Sequence, residues 1–207
     1  MKLKQLLNQF FSLNKIKYLN IILTLLLVSC TTTKEITVTS KVSNKHKVIV
    51  WYDKEQKDIW AFSFPFVLTI NNKSANQKEE LTFHQYIYKK PSEGAFAFLY
   101  KENDNNDLIK LSSTLKKEIL PKQKKEYVVY SKHLINNLTD SNKILSAFQN
   151  KHLNKDSIHL SSFKNFKNKL PELTQKLLSN DSIFLKFTNF DKTTSPPKRI
   201  KLPIKIN

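Results

Sequence analysis

Trp60-Ala61-Phe62-Ser63-Phe64-Pro65-Phe66-Val67-Leu68-Thr69-Ile70 decides the fold class of this 207-residue chain. Trp60, Phe62, Phe64, Phe66, Leu68 and Ile70 stand at every second position. Successive side chains of an extended strand point to opposite faces, so a period of two predicts one strand with all six residues on its core face. Pro65 has no N–H for a ladder, which places this strand at an edge or bends it at a bulge near its middle. Asn71-Asn72-Lys73-Ser74-Ala75-Asn76 then supplies turn residues.

Outward from that stretch the same period recurs. Upstream, Val48, Val50 and Tyr52 alternate with Ile49 and Trp51, a strand apolar on both faces. Downstream, Leu81, Phe83 and Ile87 face opposite to Tyr86 and Tyr88, and Gly94 to Tyr100 sets Phe96 and Phe98 against Ala95 and Ala97. Leu108 to Leu111 and Tyr127 to Tyr130 are shorter strands flanking a lysine-rich segment. Helical spacing appears only later. Asp140 or Ser141 caps a helix bearing Ile144, Leu145, Phe148 and Leu153; Phe163, Phe166, Leu170, Leu173 and Leu177 follow, with Pro171 kinking that helix or opening a second. Ile183-Leu185-Phe187 and Ile200-Leu202-Ile204-Ile206 return to strands. No helix-length crossover separates the early strands, so the expected fold is mainly β: an antiparallel sandwich over residues 45–207, with a helical insert over 140–180.

Composition removes whole classes of function. The only glycine is Gly94, and phosphate-cradling loops, dinucleotide fingerprints and nucleophile elbows all need several. The only cysteine is Cys30, which excludes intramolecular disulfides, CxxC redox chemistry and cysteine zinc clusters. The net charge of +18 suggests a polyanion partner, but of 35 basic residues only Arg199 is arginine. Arginine forks onto phosphates and base edges, whereas lysine is a hydrated point charge common on ordinary surfaces. The joint abundance of Lys, Asn, Ile and Phe is what an AT-rich coding sequence produces, so the charge argues against nucleic acid as partner.

The N-terminus carries the most specific motif. Lys15 and Lys17 run into the apolar segment Leu19 to Val28, too short for a bilayer span, which needs about 20 residues. Leu27-Val28-Ser29-Cys30 resembles the lipobox of bacterial lipoproteins. The resemblance implies that Leu27, Val28 and Ser29 are read by the lipoprotein signal peptidase, that residues 1–29 are removed, and that Cys30 receives a diacylglycerol thioether and an acyl group such as palmitate. Two or three acyl chains hold a protein on a membrane without spanning it. The basic and apolar segment before the apolar run, about 18 residues long, exceeds the usual length. Residues 31–44 read as a tether, although Ile36 and Val38 alternate as an edge strand does. With Thr31-Thr32-Thr33-Lys34 after the cysteine, neither an acidic retention residue nor an acidic export cluster is present. The expected location is the periplasmic face of the outer membrane.

Phe66 to Ser74 followed by Leu81-Thr82-Phe83 resembles the strand–turn–strand stretch of immunoglobulin-like envelope domains. The resemblance implies architecture alone, since the paired cysteines of true immunoglobulin domains are absent.

Few residues nominate a site. His46, His84, His133, His152 and His159 show no metal-ligand spacing, and read as exposed or strand-face histidines. Asp104-Asn105-Asn106-Asp107 lacks the glycine and bidentate Glu of a calcium loop and reads as a hairpin tip. No residue set predicts a catalytic centre, a metal site or a cofactor. The best interaction candidate is the basic group Lys116, Lys117, Lys122, Lys124 and Lys125, with Lys198, Arg199 and Lys201, facing anionic headgroups near the anchor. The expected function is a non-enzymatic envelope lipoprotein that binds or scaffolds an envelope protein partner, held to the membrane through Cys30. The alternatives are a polyanion or lipid-headgroup module, and an envelope hydrolase, which would require His84 or His133 beside a carboxylate in a cleft.

Overall fold

A computed structural model describes residues 35–135, 144, 147, 156–191 and 196–206, apart from 57, 91, 93 and 113. Three antiparallel sheets account for most of them. The first contains, in spatial order, β1 (Ile36–Val42), β4 (Pro65–Asn72), β9 (Lys124–Tyr130), β6 (Phe98–Glu102) and β7 (Leu108–Lys110). The second runs β10 (His133–Leu134), β3 (Asp58–Ser63), β2 (Lys47–Asp53) and β11 (Ser157–Ser162). The third runs β13 (Lys198–Pro203), β12 (Ser182–Thr188), β5 (Glu79–Ile87) and β8 (Glu118–Ile119). Helices α1 (Phe163–Lys169) and α2 (Pro171–Leu178) connect β11 to β12. The fold is thus the expected antiparallel β-sandwich with a helical insert.

The stretch around Pro65 forms two strands instead of one. β3 ends at Ser63 and β4 begins at Pro65, in a different sheet. A proline is accommodated as the first residue of a strand, where its ring does not break a ladder already begun. β4 lies between β1 and β9, so the expected edge is absent and the bend is a change of sheet. The alternation survives the corner: Phe62, Phe64, Phe66, Leu68 and Ile70 are each at most 1% exposed. Phe66 meets Tyr86 of the third sheet at 5.7 Å between ring centroids, and Phe62 meets Phe166 of α1 at 5.4 Å. One run of alternating residues therefore supplies the core contacts of all three sheets and the helical insert.

Two bulges correct the expected facing of side chains. Trp51 pairs with Ala61 while Tyr52 pairs with Ile59, which leaves Trp60 as the extra residue. It turns outward, 39% exposed, instead of joining the core. There it lies 5.9 Å from Trp51, and the Lys132 ammonium sits 3.4 Å over the Trp51 ring and 4.6 Å from that of Trp60. In the third sheet Lys186 pairs with Phe83 and Phe187 with Leu81, so Thr82 is the extra residue. Past it the facing reverses: Leu81 and Tyr86 are buried, whereas Phe83 is exposed beside Phe184.

Other boundaries also move. The strand expected over Gly94 to Tyr100 begins at Phe98, with Leu99 buried and Phe96 exposed. Within the expected insert, residues 157–162 form β11 against β2. Pro171 opens α2 as its first-turn residue, one of the two roles expected of it. Ile144 is helical and buried; Asp140, Ser141, Leu145, Phe148 and Leu153 lie outside the described residues. β1 makes the second half of the presumed tether an edge strand, paired with β4 from Ile36↔Asn72 to Val42↔Phe66.

Candidate functional site

β10 places His133 opposite Phe62 of β3, and Gly94 bridges to it from the other side. The imidazole is 2% exposed, edge-on to Phe64, Tyr86 and Tyr88 at 5.4, 5.7 and 5.0 Å. Its Nε2 lies 3.0 Å from Ser131 Oγ and 3.8 Å from Asp181 Oδ2. Asp181 stands after α2 and accepts the Lys89 N–H on Oδ1 at 2.7 Å. The Tyr88 hydroxyl donates to the Ala95 carbonyl at 2.7 Å and accepts the Lys132 N–H at 2.9 Å. A cleft of about 150 Å³ opens onto this cluster between Tyr88, Lys89, Lys90, Lys176 and Ser179.

Burial governs the charges here. Desolvation pushes the His133 pKa down to about 3, so the ring is neutral at ordinary pH. Burial raises Tyr86 well above its usual value, reinforced by the Asp181 carboxylate, and raises Tyr88 to about 12. A histidine beside a carboxylate in a cleft is the arrangement that an envelope hydrolase would need, but the geometry differs from a proton relay. In a relay the base meets the nucleophile on one ring nitrogen and the orienting carboxylate on the other. Here both oxygens approach Nε2, and Ser131 is fully buried. The cluster ties β5, the β9–β10 link and Asp181, in the turn between α2 and β12, through one buried imidazole.

The other described histidines differ from it. Burial lowers the pKa of His46, His84 and His159, with Lys117 adding to the effect at His84 and Lys47 at His159. His152 lies outside the described residues. Asp104 to Asp107 form the β6–β7 hairpin tip, where Asn103 Oδ1 accepts the N–H groups of Asn105 and Asp107 at 3.0 and 2.7 Å.

The basic group is divided by its surroundings. Lys117 is buried and donates to the Leu115 carbonyl at 2.8 Å; Lys125 donates to the Glu118 carbonyl. Desolvation lowers the pKa of both. Lys124 lies 3.2 Å from Glu126. Lys116 and Lys122 are exposed, Lys122 in a left-handed turn at φ 55°. Lys116 lines a pocket of about 230 Å³ with Lys78, Glu79, Glu80, Glu118 and Phe190. Arg199 and Lys201 are exposed on β13, whereas Lys198 contacts Glu79 at 2.5 Å and Glu35 at 3.1 Å. Burial alone would lower the Lys198 pKa, but the two carboxylates raise it.

Sequence reasoning missed Ser131 and Asp181. Only the turn residues Ser179-Asn180-Asp181 flagged the second of these, and nothing in the chain order brings Asp181 to His133. Leu27, Val28, Ser29 and Cys30 lie outside the described residues. Among the described residues no group of His, Cys, Asp and Glu could hold a metal ion, and no helix is long and apolar enough to cross a membrane. Comparison with known proteins returns no matching family model and no matching curated protein.

Proposed function

We propose that the protein is a lipid-anchored envelope protein whose β-sandwich serves as a non-enzymatic binding or scaffold domain. The observation that carries this reading is Leu27-Val28-Ser29-Cys30, which sets the only cysteine of the chain at the end of a short apolar run behind basic residues. The periplasmic face of the outer membrane and a likeness to immunoglobulin-like envelope domains belong to the same proposal. Face-to-face antiparallel sheets, with Phe66 against Tyr86, support the likeness. A scaffold role is favoured over hydrolysis by the convergence of Ser131 and Asp181 on one nitrogen of His133. It is favoured over a polyanion module by the commitment of Lys117 and Lys125 to backbone carbonyls.

Intact mass tests the anchor. The wild-type protein is expected to begin at Cys30 and to carry acyl mass. Cys30→Ser lacks the sulfur that accepts diacylglycerol and should keep residues 1–29 without any lipid. A wild-type chain still carrying Met1, or one beginning at Cys30 with no acyl groups, overturns the reading.

A further inference from the structure

The chain enters the described fold at Glu35, five peptide steps after Cys30, a reach of at most about 18 Å. Whatever end of the sandwich holds Glu35 is therefore the end nearest an anchored lipid. Strand register identifies what else is there. Ile36 pairs with Asn72, Asn71 with Lys124, and Glu79 with Ile119. The Lys73 N–H donates to the Glu35 carbonyl and the Lys122 N–H to the Ser74 carbonyl. Lys198, at the start of β13, joins Glu35 to Glu79. The loop leaving β12 carries Phe190, which shares the pocket of Glu79, Glu80 and Lys116.

That end presents exposed apolar side chains and lysines beside the carboxylates of Glu35, Glu80, Glu118 and Asp191. Phe190 is 59% exposed and Leu120, at the turn before β9, is 49% exposed. Lys73, Lys116 and Lys122 are exposed around them. Large apolar side chains on loop tips, with exposed lysines near them, match a bilayer surface. The apolar groups reach the boundary of the acyl chains, and the ammonium groups remain among anionic headgroups.

We infer that this end of the sandwich rests on the bilayer that holds the Cys30 lipid, with Leu120 and Phe190 entering the interface and Lys73, Lys116 and Lys122 contacting anionic headgroups. The inference rests on the lipid-anchor reading and adds a fixed orientation to it. The domain stands on its β4–β5, β8–β9 and β12–β13 connections, and the opposite end, which carries Phe96, faces away from the membrane.

Lipidated mature protein, in vesicles of about three parts phosphatidylethanolamine to one of phosphatidylglycerol, tests this orientation. Phe190→Cys, Leu120→Cys and Phe96→Cys, each labelled with a thiol-reactive fluorophore, report depth through quenching by nitroxide-bearing acyl chains. The Cys30 sulfur, as a thioether, takes no label. Phe96 is 86% exposed and precedes Phe98, which pairs with Tyr130 at the far end of the first sheet. Labels at Phe190 and Leu120 should be quenched about threefold more than the label at Phe96, and Lys73→Glu with Lys122→Glu should roughly halve that difference. Equal quenching at all three positions, in protein whose mass includes the acyl groups, overturns the docking alone. A mass without acyl groups overturns the anchor reading and the docking with it.

Discussion

Gly94 faces the ring of Tyr88 so closely that a β-carbon there would come within 2.1 Å of its Cδ2. The ring has little room to yield, because its hydroxyl is held by Ala95 and Lys132 and its edge packs on His133. Gly94→Ala is expected to cost about 1–3 kcal/mol, the usual range for overpacking a core; a urea midpoint unchanged from wild type would disprove the contact. His133 gives a pH dependence of definite sign. In the unfolded chain it titrates near 6.5, and in the folded protein near 3. Between those values the unfolded state holds the additional proton. Stability from this group is therefore complete above about pH 6.5 and is lost on acidification toward 3, by up to about 1.4 kcal/mol per pH unit. His133→Gln should flatten this acid limb in urea titrations at pH 7, 5.5 and 4.5. Wild type and variant falling in parallel would assign the loss to other groups. At this scale the sequence told only what Gly94 excludes; its use against Tyr88 depends on a fold that brings β10 alongside it.

The strands themselves were legible where an apolar side chain fell at every second position. Phe62 through Ile70 kept their alternation across a change of sheet because Phe64 and Pro65 form a corner that leaves the facing intact. Trp60 and Phe83 misled for one shared reason. A single inserted residue reverses every side chain beyond it, and a bulge adds no mark of its own to an apolar period. Sheet membership was equally hidden, since nothing in the spacing tells a corner from a continuous strand. The helical insert was read from Phe163, Phe166 and Leu173, and all three are buried. α1 is attached to the sheets through Phe163, packed on Phe64 at 6.0 Å, and through Phe166, fully buried against Phe62 and Phe64 at 5.4 Å each. Phe166→Ala should destabilise the protein by about 3–5 kcal/mol. Thermal unfolding measures it, and a loss below about 1 kcal/mol would mean that α1 is dispensable to the core.

For the whole molecule, the first strand sets the boundary of the folding unit. A chain starting at Glu35 retains β1 and the Glu35–Lys198 contact, and should unfold in one cooperative transition. A chain starting at Ser43 loses Ile36 from the core, about 1.5–3 kcal/mol of burial, and leaves β4 as an open edge prone to pairing between molecules. Light scattering and urea unfolding should separate the two, and identical behaviour would show β1 to be an accessory strand. The arrangement of the end that holds Glu35 was not legible either, because Leu120, Phe190 and Lys73 come from three connections that only the sheet register brings together. The paired indoles beside Lys132 have a consequence of another kind. Trp51 and Trp60 are the only two tryptophans of the chain and lie on the outer face of one hairpin. Their emission is a local reporter, sensitive to the β2–β3 hairpin and the Lys132 link and blind to the third sheet. An unfolding curve followed by tryptophan fluorescence will coincide with one followed by circular dichroism only while the sandwich comes apart as a unit.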